Sequence, residues 1–123
     1  MQQNILIAED DTNIANLIKE LVTRKRNNAL VAHDGEEAFK IFSHIKVDLI
    51  ITDLKMPNID GMTFIKMVRE TKSDVPIIII TGYGSKQNLE LARQYGVREI
   101  LSKPCPLIDI SNAIDRALEP DAG

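Results

Sequence analysis

Glu9-Asp10-Asp11 follows the apolar run Ile5-Leu6-Ile7-Ala8, Asp53 closes the run opened by Leu49-Ile50-Ile51, and Lys103 lies just beyond Ile100-Leu101. Apolar runs of this kind read as strands buried on both faces of a parallel sheet. Strands of one such sheet share a C-terminal edge, so these acids and the lysine would converge there. Crowded carboxylates repel one another and resist full ionisation unless a cation lies between them. A carboxylate can also act as a nucleophile and form an acyl phosphate. A phosphoryl group on Asp53 would need its oxygens neutralised and hydrogen-bonded. Oxygen-bound magnesium at Glu9, Asp10 and Asp53, the Lys103 ammonium and the Thr81 hydroxyl are suited to that work. The pattern points to a metal site built around one reactive aspartate.

The elements that must position these groups alternate strand and helix five times. Asn4 to Ala8 reads as the first strand. Asp11-Thr12-Asn13 offers capping oxygens, and Ile14, Leu17, Ile18, Leu21 and Val22 form a helical stripe. Ala29 to Ala32 is a short strand expected near an edge. Asp34-Gly35-Glu36-Glu37 resembles a capping box and opens a helix burying Ala38, Ile41, Phe42 and Ile45. Val47 to Leu54 is the third strand. Pro57 lacks a donor and Asp60-Gly61 favours a turn, so the segment from Met56 to Gly61 is irregular before a helix on Phe64, Ile65 and Val68. Pro76 introduces a fourth strand through Ile77-Ile78-Ile79-Ile80. Ser85 caps a helix reaching Tyr95, Gly96 stops it, Glu99 to Ser102 is the fifth strand, and Pro106 to Glu119 the last helix. The fold class is therefore α/β, a doubly wound five-stranded parallel sheet with right-handed crossovers. Ligands of such sheets sit beyond the carboxyl ends of the strands, where the winding reverses; in the common order 2-1-3-4-5 that is between strands one and three. Those two strands carry Glu9-Asp10 and Asp53.

Composition narrows the function classes. A chain of 123 residues with net charge −3 reads as a single domain, residues 1–123, and lacks the basic face of a nucleic-acid binder. The only dense basic run, Arg24-Lys25-Arg26, reads as cations completing a helix. Cys105 is alone, no run is long enough to span a membrane, and Met1-Gln2-Gln3 is not a signal peptide, so a cytoplasmic protein is expected. His33 and His44 lack partners at metal-ligand spacing.

The acid pair before the first helix, Asp53 followed by Met56-Pro57 and Asp60-Gly61, Thr81-Gly82, and Lys103-Pro104 together resemble the receiver domain of bacterial two-component response regulators. The resemblance runs from Asn4 to about Leu118 and also supplies the strand order, which the handedness rules alone do not fix. It implies a flavodoxin-like, CheY-like three-layer sandwich in which Asp53 accepts a phosphoryl group from a phosphohistidine on a sensor histidine kinase or histidine phosphotransfer protein. Asp10, Asp53 and the main-chain carbonyl of Lys55 would bind Mg2+ directly, with Glu9 acting directly or through water. Lys103 would pair with Asp53 at rest and with the phosphoryl group afterwards, Thr81 would move to hydrogen-bond that group, and Lys103-Pro104 would be cis. Phosphorylation would change the surface read by a downstream protein or output domain. The domain would be a phosphoacceptor with at most slow autodephosphorylation, not a conventional enzyme.

Three positions depart from the family pattern. Ile100 stands where most relatives carry an aromatic switch residue, and a β-branched side chain has no ring to reorient. Glu9 replaces the commoner aspartate and is one methylene longer. Cys105 takes a position where an aromatic is frequent and reads as a small buried filler. Lys55 and Tyr83 lie two residues beyond Asp53 and Thr81, at positions that modulate acyl-phosphate hydrolysis in this family. The same pair occurs in a sporulation phosphorelay receiver, which implies a slowly hydrolysing phosphoryl group.

Other readings of the site are weaker on their residues. A phosphatase resembling the haloacid dehalogenases needs a second aspartate two positions after the nucleophile, where Lys55 stands. A flavin or nucleotide binder needs a donor-rich loop after the first strand, and Glu9-Asp10-Asp11 would repel its phosphate. A degenerate receiver used only for docking sits poorly with Asp10, Asp53, Thr81 and Lys103 all present. The chain stops soon after the fifth helix, as expected of a stand-alone regulator or of a piece of a longer one.

Overall fold

The computed structural model describes residues 2–82 and 84–119. Five strands, β1 (Asn4–Ala8), β2 (Asn28–Ala32), β3 (Leu49–Thr52), β4 (Ile77–Thr81) and β5 (Glu99–Ser102), form one parallel sheet in the order β2-β1-β3-β4-β5. The helices are α1 (Thr12–Arg24), α2 (Gly35–His44), α3 (Gly61–Glu70), α4 (Lys86–Gln94) and α5 (Leu107–Leu118).

The central strands are apolar except at their ends, Asn4, Thr52 and Thr81, because both faces are covered. Ile5, Ile7, Leu49, Ile51, Ile78 and Ile80 pack against Ile18 and Val22 of α1 and Ile110 and Ile114 of α5. The alternate residues Leu6, Ile50, Ile77 and Ile79 meet Ala38 of α2, Phe64, Ile65 and Val68 of α3, and Ala92 of α4. Each such fully buried aliphatic or aromatic side chain stabilises the fold by roughly 1.5–3 kcal/mol over leaving it in water. The helices start where side-chain oxygens accept orphan N–H groups: Asp11 for α1, Asp34 for α2, Asp60 for α3 and Ser85 for α4. Tyr95 caps α4, and Gly96 follows with φ +72°, a backbone that suits glycine.

Several local expectations change. β3 is shorter than Val47 to Leu54. Asp53 still donates its N–H to the Ala8 carbonyl at 3.0 Å, but its carboxylate Oδ1 accepts the next N–H, of Leu54, at 2.6 Å and turns the chain out of the sheet. Asp60-Gly61 is not a turn but the N-cap and first residue of α3. In α1 the buried face centres on Ala15, Ile18 and Val22, which leaves Leu17 on its flank, 48% exposed. Ile45 is 40% exposed because it caps α2 in extended backbone, off the apolar face of the helix. The capping box at α2 is offset: Asp34 accepts from the Glu37 N–H, but Glu37 reaches back to the N–H of His33. Cys105 is half-buried, not enclosed. Lys25 does more than close α1, pairing with Asp115 of α5 at 2.8 Å. No helix of the described residues is long and apolar enough to cross a membrane.

Candidate phosphoacceptor and metal site

Register brings the acids together. Ala8 pairs with Thr52, so Glu9 and Asp53 leave the sheet side by side on neighbouring strands. Thr81 pairs with Ser102, and its carbonyl accepts the Lys103 N–H at 3.0 Å, so the lysine starts at the same edge. Its four-carbon arm reaches back to place Nζ 2.6 Å from Asp53 Oδ2 and 2.8 Å from Glu9 Oε1. The peptide bond between Lys103 and Pro104 is cis.

Asp53 is 7% exposed and Glu9 2%, while Asp10 is open to solvent. Asp53 Oδ1 accepts from the Leu54 N–H, with the Lys55 N–H at 3.4 Å, which leaves Oδ2 to the ammonium. Glu9 Oε2 accepts the Asp11 N–H at 3.1 Å. Burial raises the Glu9 pKa against the Lys103 and Asp11 hydrogen bonds, which favour its charge. For Lys103 burial disfavours the charge, but hydrogen bonds and attraction from Asp53 and Glu9 outweigh it and the pKa is raised.

An open cleft of about 550 Å³ is lined by Glu9, Asp10, Asp11, Asp53, Lys55, Gly82 and Lys103. Glu9, Asp10 and Asp53 each offer a carboxylate oxygen, and these lie within 4.8 Å of one another. Opposite ligands of magnesium are about 4.2 Å apart, twice its usual bond length. The three carboxylates against one ammonium leave two negative charges, and all donors are hard oxygens, so the set fits a divalent ion of the magnesium class.

Thr81 is buried at the end of β4. Ile100 is half-buried on β5 beside Ile79, packed on the core shared with α3 and α4 rather than in the cleft. Tyr83 lies outside the described residues. His33 and His44 are exposed; His33 follows Ala32 at the sheet edge next to Glu9, but neither histidine is in the group of acids that could hold a metal ion. Cys105 instead lines a separate apolar groove between α1 and α5, where burial and then the Asp109 charge push its thiol pKa up. Sequence reasoning missed two supports of the site. Thr52, 1% exposed, donates its hydroxyl to the Asp53 carbonyl at 2.8 Å. Gly61 packs directly against that same carbonyl. A glycine immediately after a capping aspartate was the available signal.

The geometry agrees with the comparisons. A family model described as response regulator receiver domain matches residues 5–115. This chain belongs to the response regulator receiver family. The receiver is 33% identical over 119 residues to the transcriptional regulatory protein GlrR of Escherichia coli K12, covering 97% of this chain and 27% of that protein. It is 37% identical over 100 residues to the transcriptional regulatory protein CpxR of Klebsiella pneumoniae, covering 81% of this chain and 42% of that one. The receiver thus spans less than half the length of these relatives. Among solved structures it resembles a response regulator receiver domain protein from Clostridium thermocellum, with TM-score 0.85, 34% identity and 94% of each chain covered. A CheY-like receiver from Methanospirillum hungatei shares the fold at TM-score 0.91 with 23% identity over 96% of this chain and 94% of that one.

Proposed function

We propose that this receiver takes a phosphoryl group from a phosphohistidine onto Asp53 and passes the signal on as a changed binding surface. The observation that carries this reading is the buried Asp53 carboxylate opening on a solvent cleft, bridged to Lys103 at 2.6 Å with Glu9 and Asp10 beside it. In the transfer a P–O bond to Asp53 forms as the P–N bond of the donor breaks, and the donor histidine leaves as imidazole.

Asp10, Asp53 and the Lys55 carbonyl would hold magnesium, with Glu9 alongside. When bound, the ion neutralises phosphoryl oxygens and orients them for in-line attack. Lys103 moves its charge from the Asp53 carboxylate to the phosphoryl group, and the Thr81 hydroxyl donates a hydrogen bond to it. Such chemistry is placement and charge neutralisation, so the receiver is a substrate of phosphotransfer with slow self-dephosphorylation. Its partners are a sensor histidine kinase or histidine phosphotransfer protein and a downstream protein or output domain, in the cytoplasm, with residues 1–123 acting as one unit. The receiver itself does not contact nucleic acid. Lys55, exposed at the cleft, and Tyr83 restrict water and lengthen the phosphoprotein lifetime.

Incubation with acetyl phosphate and magnesium, followed by intact mass spectrometry, tests this. One phosphoryl group should be added to the wild type, none to Asp53→Asn, and little when magnesium is chelated. Equal labelling of wild type and Asp53→Asn would place the acceptor elsewhere. Decay of the label as fast as in chemotaxis receivers would contradict the roles of Lys55 and Tyr83.

A further inference from the structure

The Lys103 ammonium has two carboxylate partners, and they are not equivalent. Glu9 is fixed from behind. Its N–H donates to the Ala32 carbonyl at 3.0 Å, its Oε2 accepts the Asp11 N–H at 3.1 Å, and only 2% of the residue is exposed. The Lys103 side chain is flexible by nature and 23% exposed. Asp53, the other partner, is the group that phosphorylation alters.

We propose that Glu9 is the positioning residue of Lys103, holding the ammonium over the site while Asp53 exchanges its carboxylate charge for an acyl phosphate. This deepens the reading of Asp53 as acceptor and rests on it. Once Oδ1 or Oδ2 is esterified, the carboxylate that attracted Lys103 no longer exists. A long lysine stem then gains rotamer freedom by swinging into water. Glu9 Oε1, at 2.8 Å, is an unmodified counter-charge that keeps the ammonium within reach of the new phosphoryl oxygens. Length matters here. Aspartate is shorter by one carbon–carbon bond, about 1.5 Å, which would stretch the contact to about 4 Å, beyond hydrogen-bonding distance. The length of the glutamate at position 9 is thereby matched to Lys103.

The test uses the full chain carrying Glu9→Asp or Glu9→Gln, each also combined with Lys103→Met. Labelling rates by acetyl phosphate are measured at saturating magnesium, and thermal unfolding confirms that each variant is folded. Each Glu9 variant should slow labelling roughly tenfold, on the scale of one charge-assisted hydrogen bond, and should add nothing once Lys103 is methionine. Multiplicative losses in the double variants would assign Glu9 to the metal and overturn the proposal. A second readout needs neither metal nor phosphate. Nitrogen-15 NMR of the lysine ammonium groups should show a slowly exchanging Lys103 signal in Asp53→Asn, where the 2.6 Å carboxylate partner has lost its charge, that disappears when Glu9→Asp is added. Persistence of that signal in the Asp53→Asn, Glu9→Asp double variant also overturns it. A wild type that takes no label, or takes it equally without Asp53, sinks the acceptor reading together with this one. A labelled wild type with additive variants sinks this one alone.

Discussion

Gly61 lies so close to Asp53 that a Cβ on it would come within 2.1 Å of the Asp53 carbonyl oxygen. The first residue of α3 is thus pressed against the loop that carries Asp53, with the Gly61 N–H donating to the Leu54 carbonyl at 2.8 Å. Backbone, not a flexible side chain, is what an added methyl would strike.

Gly61→Ala is therefore expected to push the loop out, lowering stability by about 1–3 kcal/mol, the usual scale of forced overpacking. The urea midpoint should drop, and acetyl-phosphate labelling should slow even at denaturant-free conditions where the variant is fully folded. Unchanged labelling in a destabilised protein would show that the loop position does not matter to transfer.

Lys103 makes stability depend on alkaline pH. Its pKa is raised above the ordinary 10.5 by its two carboxylate partners in spite of burial, so its contribution is complete below that value and is lost as pH rises through the folded value. Urea midpoints across that range should fall more steeply for the wild type than for Lys103→Met. Parallel curves would mean that the pairing adds nothing to folding.

Arg69 donates to three carbonyls: Nε to Tyr95 at 2.7 Å, and Nη1 to Val75 at 2.8 Å and Ser73 at 3.1 Å. It ties the end of α3 to the start of β4 and to the cap of α4. Arg69→Met leaves those carbonyls unsatisfied and should cost about 1–3 kcal/mol, with faster amide exchange at Val97, whose N–H bonds to Ala92 beside that cap. Arg69→Lys should recover only part of this, since one ammonium cannot reproduce the guanidinium fork.

Ile100→Tyr restores an aromatic at a half-buried position on β5 outside the cleft. Labelling of Asp53 should be unchanged, while phosphorylation-dependent chemical shifts around β5 and α4 should grow. Slower labelling in this variant would couple Ile100 to the chemistry itself.

Most of the frame was legible in the residues. Runs such as Ile77-Ile78-Ile79-Ile80 have one sensible place, between two helical layers, and Asp11, Asp34 and Ser85 mark helix starts by their own chemistry. The convergence of Glu9, Asp10, Asp53 and Lys103 followed from that frame. What stayed hidden was decided by contacts distant in sequence. The end of β3 depends on where the Asp53 carboxylate turns, the tight fit of Gly61 on how α3 backs onto that loop, and the exposure of Leu17 on where α5 crosses α1. The second partner of Lys103 was likewise invisible, because reach across a sheet cannot be read from spacing along a chain.

The Lys103 bridge joins residues 94 and 50 positions apart in the chain. No fragment holding only the first half of this protein contains both the acids and their cation, and none holding only the second half does either. The bridged arrangement of acids and cation therefore exists only once both halves of the sheet have come together. A chain ending before β5 would hold Glu9, Asp10 and Asp53 as three unbridged carboxylates.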